Sequence, residues 1–173
     1  MKKLLLSFAI FSLVSSCAVK EEPKIYSTVN ELANGHYAQL NIGDTAELIL
    51  SSFADSLVLS NTNEIVFLTK TKDNRIEKRE TRTALDRGLI YEIAIDFYLK
   101  QDSLVLPFFT ECKAKLDELY GSSKMDDGYA AWSSSSIHNK VIEIELFDES
   151  INSELKMVSI NFYEDFDKSF YAE

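Results

Sequence analysis

Residues 88–99, GLIYEIAIDFYL, show the most regular alternation of apolar and polar side chains in this 173-residue chain. Glu92 and Asp96 fall on one face of an extended segment, and the opposite face is apolar throughout. That apolar face holds Leu89, Tyr91, Ile93, Ile95, Phe97 and Leu99. A period of two predicts a β-strand with one face on a core and the other toward water. Antiparallel sheets covered on one side contain such strands.

A helix and two further strands precede this segment. Asp44 is a predicted N-cap, and Glu47 follows three residues later at the spacing of a capping box. Apolar residues then recur at helical spacing as far as Leu57. The predicted strands of this first unit span residues 64–71, 76–83 and 88–99.

The same order of elements follows a second time. Ser103 is a predicted N-cap, Pro107 fits the first turn of the helix, and Gly121 is placed to end it. The strands predicted after this helix span residues 129–134, 140–147 and 156–163. The fold class is therefore α+β, with an antiparallel sheet of about six strands and two helices on one face.

The repeated order resembles the tandem-repeat fold of β-lactamase inhibitor proteins. The run Asn-Ile-Gly-Asp-Thr at residues 41–45 is also similar to the start of the small BamE-type outer-membrane lipoproteins. The inhibitor-type fold uses the sheet face without helices to bind partners. The resemblance therefore implies a protein-binding face on this chain.

The N-terminus has the pattern of a secretory signal. Lys2 and Lys3 precede the mainly apolar residues 4–14, and small residues follow at Ser15 and Ser16. The apolar run is too short to span a bilayer. We expect a signal peptide at residues 1–16, a charged tether at 17–24 and a single domain at 25–173.

Cys17, directly after the predicted signal peptide, indicates a membrane-anchored protein rather than a freely secreted one. Val14, Ser15, Ser16 and Cys17 resemble the lipobox of bacterial lipoproteins. The resemblance implies a diacylglycerol on the Cys17 sulfur and an acylated amine, which together give durable anchoring in outer-membrane lipid.

Three charged residues follow closely, Lys20, Glu21 and Glu22. They resemble the export signal of surface lipoproteins of the Bacteroidetes type, which implies display on the cell surface. A solvated tether on a periplasm-facing anchor is the alternative.

Charge and composition exclude some classes of function. The chain has 18 basic and 28 acidic residues and a formal net charge of −10, so it repels phosphate backbones and nucleic acid is not an expected partner. Cys112 lies on the apolar stripe of the second helix, and we expect it to be buried.

No motif for catalysis, a metal or a cofactor stands out in the sequence. His36 and His138 lack neighbouring ligands, and we expect both to be exposed loop residues. Glu143 and Glu145 are carboxylates on a predicted strand rather than in an aromatic cleft, so we do not expect a hydrolase. The acidic runs at 126–127 and 164–167 lack the spacing of a calcium loop.

The segment from Lys70 to Arg87 is the one long stretch with a positive balance. One interpretation is an edge hairpin whose charges prevent aggregation. The other is a patch that recognises an acidic partner or anionic lipid. The residues of this predicted patch are Lys72, Arg75, Lys78, Arg79 and Arg82.

The sequence therefore favours a lipid-anchored envelope protein that binds another protein and is not an enzyme. The alternative is a small-ligand or glycan-binding lipoprotein, for which Trp132, Tyr129 and Tyr91 could form a stacking surface. A pocket lined by these aromatic residues would favour the alternative, and an open sheet would favour protein binding.

Overall fold

The computed structural model describes residues 26–33, 36–135, 138–151 and 154–166. These residues form three α-helices and one sheet of eight antiparallel strands. The helices are α1 (Tyr26–Asn30), α2 (Ala46–Phe53) and α3 (Val105–Tyr120). The strands are β1 (Leu57–Ser60), β2 (Glu64–Leu68), β3 (Ile76–Asp86), β4 (Leu89–Leu99), β5 (Lys124–Asp126), β6 (Tyr129–Ser135), β7 (Val141–Asp148) and β8 (Met157–Glu164).

The sheet is built from two four-stranded meanders. Its strand order is β1-β2-β3-β4-β8-β7-β6-β5, so the meanders meet where β4 pairs with β8. Each meander follows one helix, α2 or α3. The α+β class is confirmed. The expectation of two helices was wrong because it did not count the short helix α1, and the expectation of about six strands was wrong because β1 and β5 were missed. Both are edge strands, of four and three residues.

Helices α2 and α3 lie on the same face of the sheet. Phe53 of α2 stacks on Phe67 with ring centroids 4.3 Å apart, and Phe108 of α3 contacts Phe97 at 5.1 Å. Phe67 pairs with Thr81, which pairs in turn with Ile95, so Phe67 and Phe97 share a face. We call this the helix face and the opposite one the open face. The core lies between the helices and the helix face.

A β-bulge interrupts the alternation in β4. Ala84 pairs with Glu92 while Leu85 pairs with Ile90, which leaves Tyr91 as the extra residue. Before the bulge, the residues that face the core are therefore shifted by one position, so that Ile90 is buried while Leu89 is 45% exposed. The prediction that Leu89 and Tyr91 share the core face with Ile93 was wrong for this reason.

The predicted helix ends are close to the observed ones. Thr45, not Asp44, is the N-cap of α2, and the Asp44 carboxylate instead accepts a hydrogen bond from the Asn41 backbone N–H at 2.7 Å. Helix α3 begins at Val105 after a short 3-10 turn. Gly121 ends α3 with φ +87°, as predicted, because glycine adopts this conformation without strain.

Strand β3 lies inside the sheet, between β2 and β4. The charged segment is therefore not an edge hairpin, and charge on it does not protect a sheet edge. The charge pattern does not reveal this, because the interior position of β3 depends on its pairing with both β2 and β4. None of the helices in the described ranges is long and apolar enough to cross a bilayer.

Candidate functional site

The residues predicted to anchor and export the protein are Cys17, the site of lipid attachment, and Lys20, Glu21 and Glu22, the export signal. All four lie outside the described residues. The predictions of lipid attachment and export therefore rest on the sequence patterns alone.

The five basic residues of the predicted patch do not form one surface. Arg75 lies on the helix side, where its guanidinium is 11% exposed and bridges Asp73 and Glu111 at 2.9 and 3.1 Å. The same guanidinium lies over the Phe108 ring, 5.1 Å from its centroid. Burial alone would raise the pKa of Asp73, but hydrogen bonds and the charge of Arg75 outweigh burial and lower it.

Arg79 is the most deeply buried member of the five. Its side chain is 2% exposed, and Nη1 donates to Glu31 Oε2 at 2.6 Å. The guanidinium lies 5.5 Å from the centroid of the buried Tyr37 ring. The prediction that Arg79 belongs to a surface patch was therefore wrong. A cation pairs with Glu31 and an aromatic ring here, which offsets part of its desolvation.

Lys78 and Arg82 lie on the open face, and Lys72 is exposed in the loop before β3. Lys78 pairs with Glu80 at 2.6 Å and lies 4.9 Å from the centroid of the Tyr98 ring. Arg82 donates to Asp96 Oδ2 at 2.9 Å. The open face therefore keeps two of the predicted basic residues, both within networks of opposite charge.

The open face is ordered by cross-strand contacts. Asp96 is buried at its centre and accepts hydrogen bonds from Arg82 and from Ser159 Oγ, the latter at 2.7 Å. One continuous row crosses seven strands through Val66, Arg82, Ala94, Asn161, Glu145, Ala131 and Lys124. Fixed charges at defined positions are suited to recognising a partner by complementary charge.

A groove of about 380 Å³ opens on the same face, over β5 to β8. Tyr129 and Tyr163 both donate their hydroxyl hydrogens to Glu145 Oε1, at 2.9 and 3.0 Å. Ala131, which pairs with Glu145 across the strands, also lines the groove. The remaining lining residues are Ser122, Lys124, Trp132, Ser133, Glu143 and Asp165. We call this the tyrosine groove.

Electrostatics keep both phenols of the tyrosine groove protonated. Burial and then the hydrogen bond and charge of Glu145 raise the pKa of Tyr129 to about 12. The same influences raise the pKa of Tyr163. Glu143 and Glu145 do line a groove with aromatic residues, contrary to the prediction. The spacing of Glu143 and Glu145 along β7 indicates that they share a face. The tyrosines join them only because β7 pairs with β6, which carries Tyr129, and with β8, which carries Tyr163.

The predicted stacking surface does not form as a unit. Trp132 points to the helix face, where its indole Nε1–H donates to Asp117 Oδ1 at 3.0 Å and to the Gly121 carbonyl at 2.9 Å. Tyr91 lies against Phe166 with ring centroids 5.8 Å apart. Only Tyr129 of the three presents its side chain to the tyrosine groove.

The two histidines meet the same loop, residues 41–45. His138 is exposed, as predicted, and its Nε2 lies 2.8 Å from Asp44 Oδ1. His36 is buried, contrary to the prediction, and its Nδ1 accepts the Ile42 N–H at 3.1 Å. Burial lowers the pKa of His36 to about 4, with a smaller contribution from His138 and opposition from Asp44. A buried neutral imidazole here is a structural acceptor.

The described residues contain no group of three or more His, Cys, Asp or Glu side chains placed to hold a metal ion. Cys112 is fully buried, as predicted, and burial raises the pKa of its thiol. A thiol in that environment is a packing residue rather than a nucleophile.

No protein-family model, curated protein or solved structure matches this chain.

Proposed function

We propose that this chain is a lipid-anchored outer-membrane protein that binds another envelope protein through the open face of its sheet and catalyses no reaction. Cys17 carries the lipid, and Lys20, Glu21 and Glu22 direct the protein to the cell surface. The single observation that supports binding is an eight-stranded sheet with both long helices on one face and a charged, ordered surface on the other.

Two features of the open face favour a protein partner. Its length, from Val66 to Lys124 across seven strands, suits a large and shallow contact. Its charges are held in defined positions by Asp96 and its two donors, Arg82 and Ser159. Such ordering lowers the entropic cost of association, since side chains already fixed lose little freedom on binding.

The tyrosine groove favours the second candidate function, the binding of a small ligand or glycan. Two aromatic side chains and several polar groups line a groove of about 380 Å³, which is within the usual size of ligand sites. If this candidate is right, Tyr163→Phe and Glu145→Gln abolish glycan binding and leave capture of an envelope protein unchanged.

The anchor is tested by replacing Cys17 with Ser. The variant is expected to lose palmitate labelling and to leave the membrane fraction, and retention of both would contradict the lipoprotein assignment. Alanine at Lys20, Glu21 and Glu22 should keep the label but remove accessibility to protease added to whole cells. Unchanged accessibility would show that the tether carries no export information.

Partner binding is tested by capture from solubilised outer membranes. The open-face variant is Lys78→Gln with Arg82→Gln, and its matched control is Lys113→Gln with Lys115→Gln on α3. Both doubles change the charge equally, but only the first is expected to lose the captured protein. Equal capture by both doubles would show that the open face is not the binding surface.

A further inference from the structure

Glu145 is a half-buried carboxylate on the open face that forms no ion pair with another described residue. Asp96, on the same face, is paired with Arg82 at 2.9 Å. Glu145 instead accepts two phenol hydroxyls, and both bind the same oxygen atom, Oε1. The second oxygen, Oε2, has no hydrogen-bond partner within the described ranges. The negative charge of Glu145 is therefore available to a cation from outside these ranges.

The two phenols make the centre of the tyrosine groove a set of hydrogen-bond acceptors. A phenol has one hydroxyl hydrogen, and Tyr129 and Tyr163 both donate theirs to Glu145. Toward a ligand, each phenol oxygen can therefore only accept a hydrogen bond. Three acceptors, the two phenol oxygens and Glu145 Oε2, lie around one carboxylate. This set matches a ligand group that carries several donors.

The charges that line the tyrosine groove favour a cation. Three carboxylates line it against one cation, Lys124 on the edge strand β5. The carboxylates are those of Glu143, Glu145 and Asp165. Burial is the largest cause of the raised pKa of Tyr129, and the negative charges of Glu145 and Glu143 add to it. Carboxylates beside aromatic rings are favourable surroundings for a positive group.

The tyrosine groove has room for such a group. Its volume is about 380 Å³, and it opens to solvent on the open face of the sheet. Tyr129, Glu145 and Tyr163 all line this space, and each of them is half-buried rather than enclosed. A side chain that enters from solvent can therefore reach all three residues.

A lysine side chain fits these acceptors better than an arginine side chain. Arginine binds a carboxylate most strongly when both oxygen atoms accept, and Glu145 Oε1 already accepts two phenols. An ammonium group is a compact charge with three donors, which equals the number of acceptors. The geometry therefore favours an ammonium group over a planar guanidinium.

We propose that the tyrosine groove holds the ammonium group of a lysine side chain from the envelope protein that the open face binds. Glu145 Oε2 accepts one N–H and supplies the opposite charge. The phenol oxygens of Tyr129 and Tyr163 accept the other two. This contact rests on the protein binding proposed above, and it adds the chemical group that the partner presents to β6, β7 and β8.

Titration with three capped amino acids, followed by NMR of the full chain, tests the tyrosine groove. The probes are the Nα-acetyl methylamides of lysine, arginine and norleucine, the last of which lacks the ammonium group. The lysine probe should shift the amide signals of Ala131 and Ser133 saturably, the arginine probe should bind more weakly, and the norleucine probe should not bind. No saturable shift with the lysine probe, or equal binding of either other probe, would overturn the proposal.

Glu145→Gln keeps the size of the side chain and removes its charge. This variant should bind the lysine probe at least about ten-fold more weakly than the wild type, because a charge-assisted hydrogen bond becomes a neutral one. The matched control is Glu118→Gln on α3, where the side chain is 68% exposed. The control changes the net charge equally and should bind as the wild type does. Equal affinity of the two variants would show that the tyrosine groove does not hold the probe.

Capture from solubilised outer membranes separates the lysine contact from the proposed protein binding. If both are right, Glu145→Gln loses the captured protein, as does the double Lys78→Gln with Arg82→Gln, and Glu118→Gln keeps it. If only the double loses the captured protein, the lysine contact is wrong and the open face remains the binding surface. If neither loses it, the open face is not the binding surface and both proposals fail.

Discussion

Lys78 and Arg79 are adjacent in β3 but point to opposite faces of the sheet, and replacing each with Glu should have very different effects. The Lys78 side chain is 44% exposed and the Arg79 side chain is 2% exposed. Both substitutions change the charge by the same amount. The difference between the variants therefore reports burial rather than net charge.

The expected losses follow from these two environments. Arg79→Glu places a carboxylate on the helix face beside Glu31 and removes the cation that pairs with Glu31, which should cost about 3–5 kcal/mol, as for other broken buried ion pairs. Lys78→Glu loses an exposed pair with Glu80 and gains a like-charge contact, for a total of about 1 kcal/mol. For a domain of this size, the melting temperature should fall by roughly 10–15 °C and by 2–4 °C, respectively.

Thermal unfolding followed by circular dichroism, with urea unfolding at pH 7, measures both losses. The urea m-values should be similar, so that the midpoints report stability alone. If Arg79→Glu and Lys78→Glu are equally mild, Arg79 faces solvent, and the assignment of the two faces is wrong. If both are severe, the open face is covered, and the argument for a binding surface fails.

Three further predictions concern single side chains. The pKa of His36 is about 4 in the fold and about 6.5 in the unfolded chain, so between these values the unfolded chain binds more protons and the fold loses stability as the pH falls. From pH 7.5 to pH 5 the free energy of unfolding should therefore decrease by about 2 kcal/mol. Urea unfolding at both pH values should show a smaller decrease for His36→Asn, and an equal decrease in the two proteins would show that His36 is exposed. The buried Cys112 thiol should react slowly with a thiol reagent until the protein is denatured, and rapid labelling of the native state would contradict its burial. Glu145→Gln should lower the pKa of Tyr129 from about 12 toward its ordinary value, since a carboxylate no longer favours the protonated phenol. A titration of the phenols followed by absorbance measures this change, and an unchanged titration would show that Glu145 does not contact Tyr129.

Much of the fold could be predicted because its elements have strong local signals. Strands β4 and β8 alternate over most of their length, and α3 carries an apolar stripe that ends at Gly121. Alternation survives in these strands because one face lies on the core and the other does not. The order of helix and meander, repeated once, then followed from their positions along the chain.

The short edge strands could not be predicted because three or four residues hold too little pattern. Strand β5 is Lys-Met-Asp and is exposed throughout, so its pairing with β6 is the only sign of a strand. The bulge at Tyr91 could not be predicted either, since whether a residue is extra in its strand depends on the register of the partner strand.

The candidate sites depend on contacts between residues far apart in sequence. From the sequence, Arg79 is expected to be a surface cation, because nothing nearby in the chain indicates its contacts with Glu31 and Tyr37. Tyr163 carried no signal of its own, and only its pairing opposite Glu143 brings it toward Glu145. Sequence composition gives the charge of such residues but not their neighbours, and the neighbours determine whether a charge is buried or presented.

Photo-crosslinking in living cells tests most directly whether the open face is the binding surface. A photoreactive residue is introduced at Ser133 on the open face and, in a second variant, at Leu106, which is 67% exposed on α3. Illumination should give a discrete adduct with another envelope protein from Ser133 and none from Leu106. An adduct from Leu106 alone, or no adduct from either position, would contradict the proposal that this sheet binds its partner through the open face.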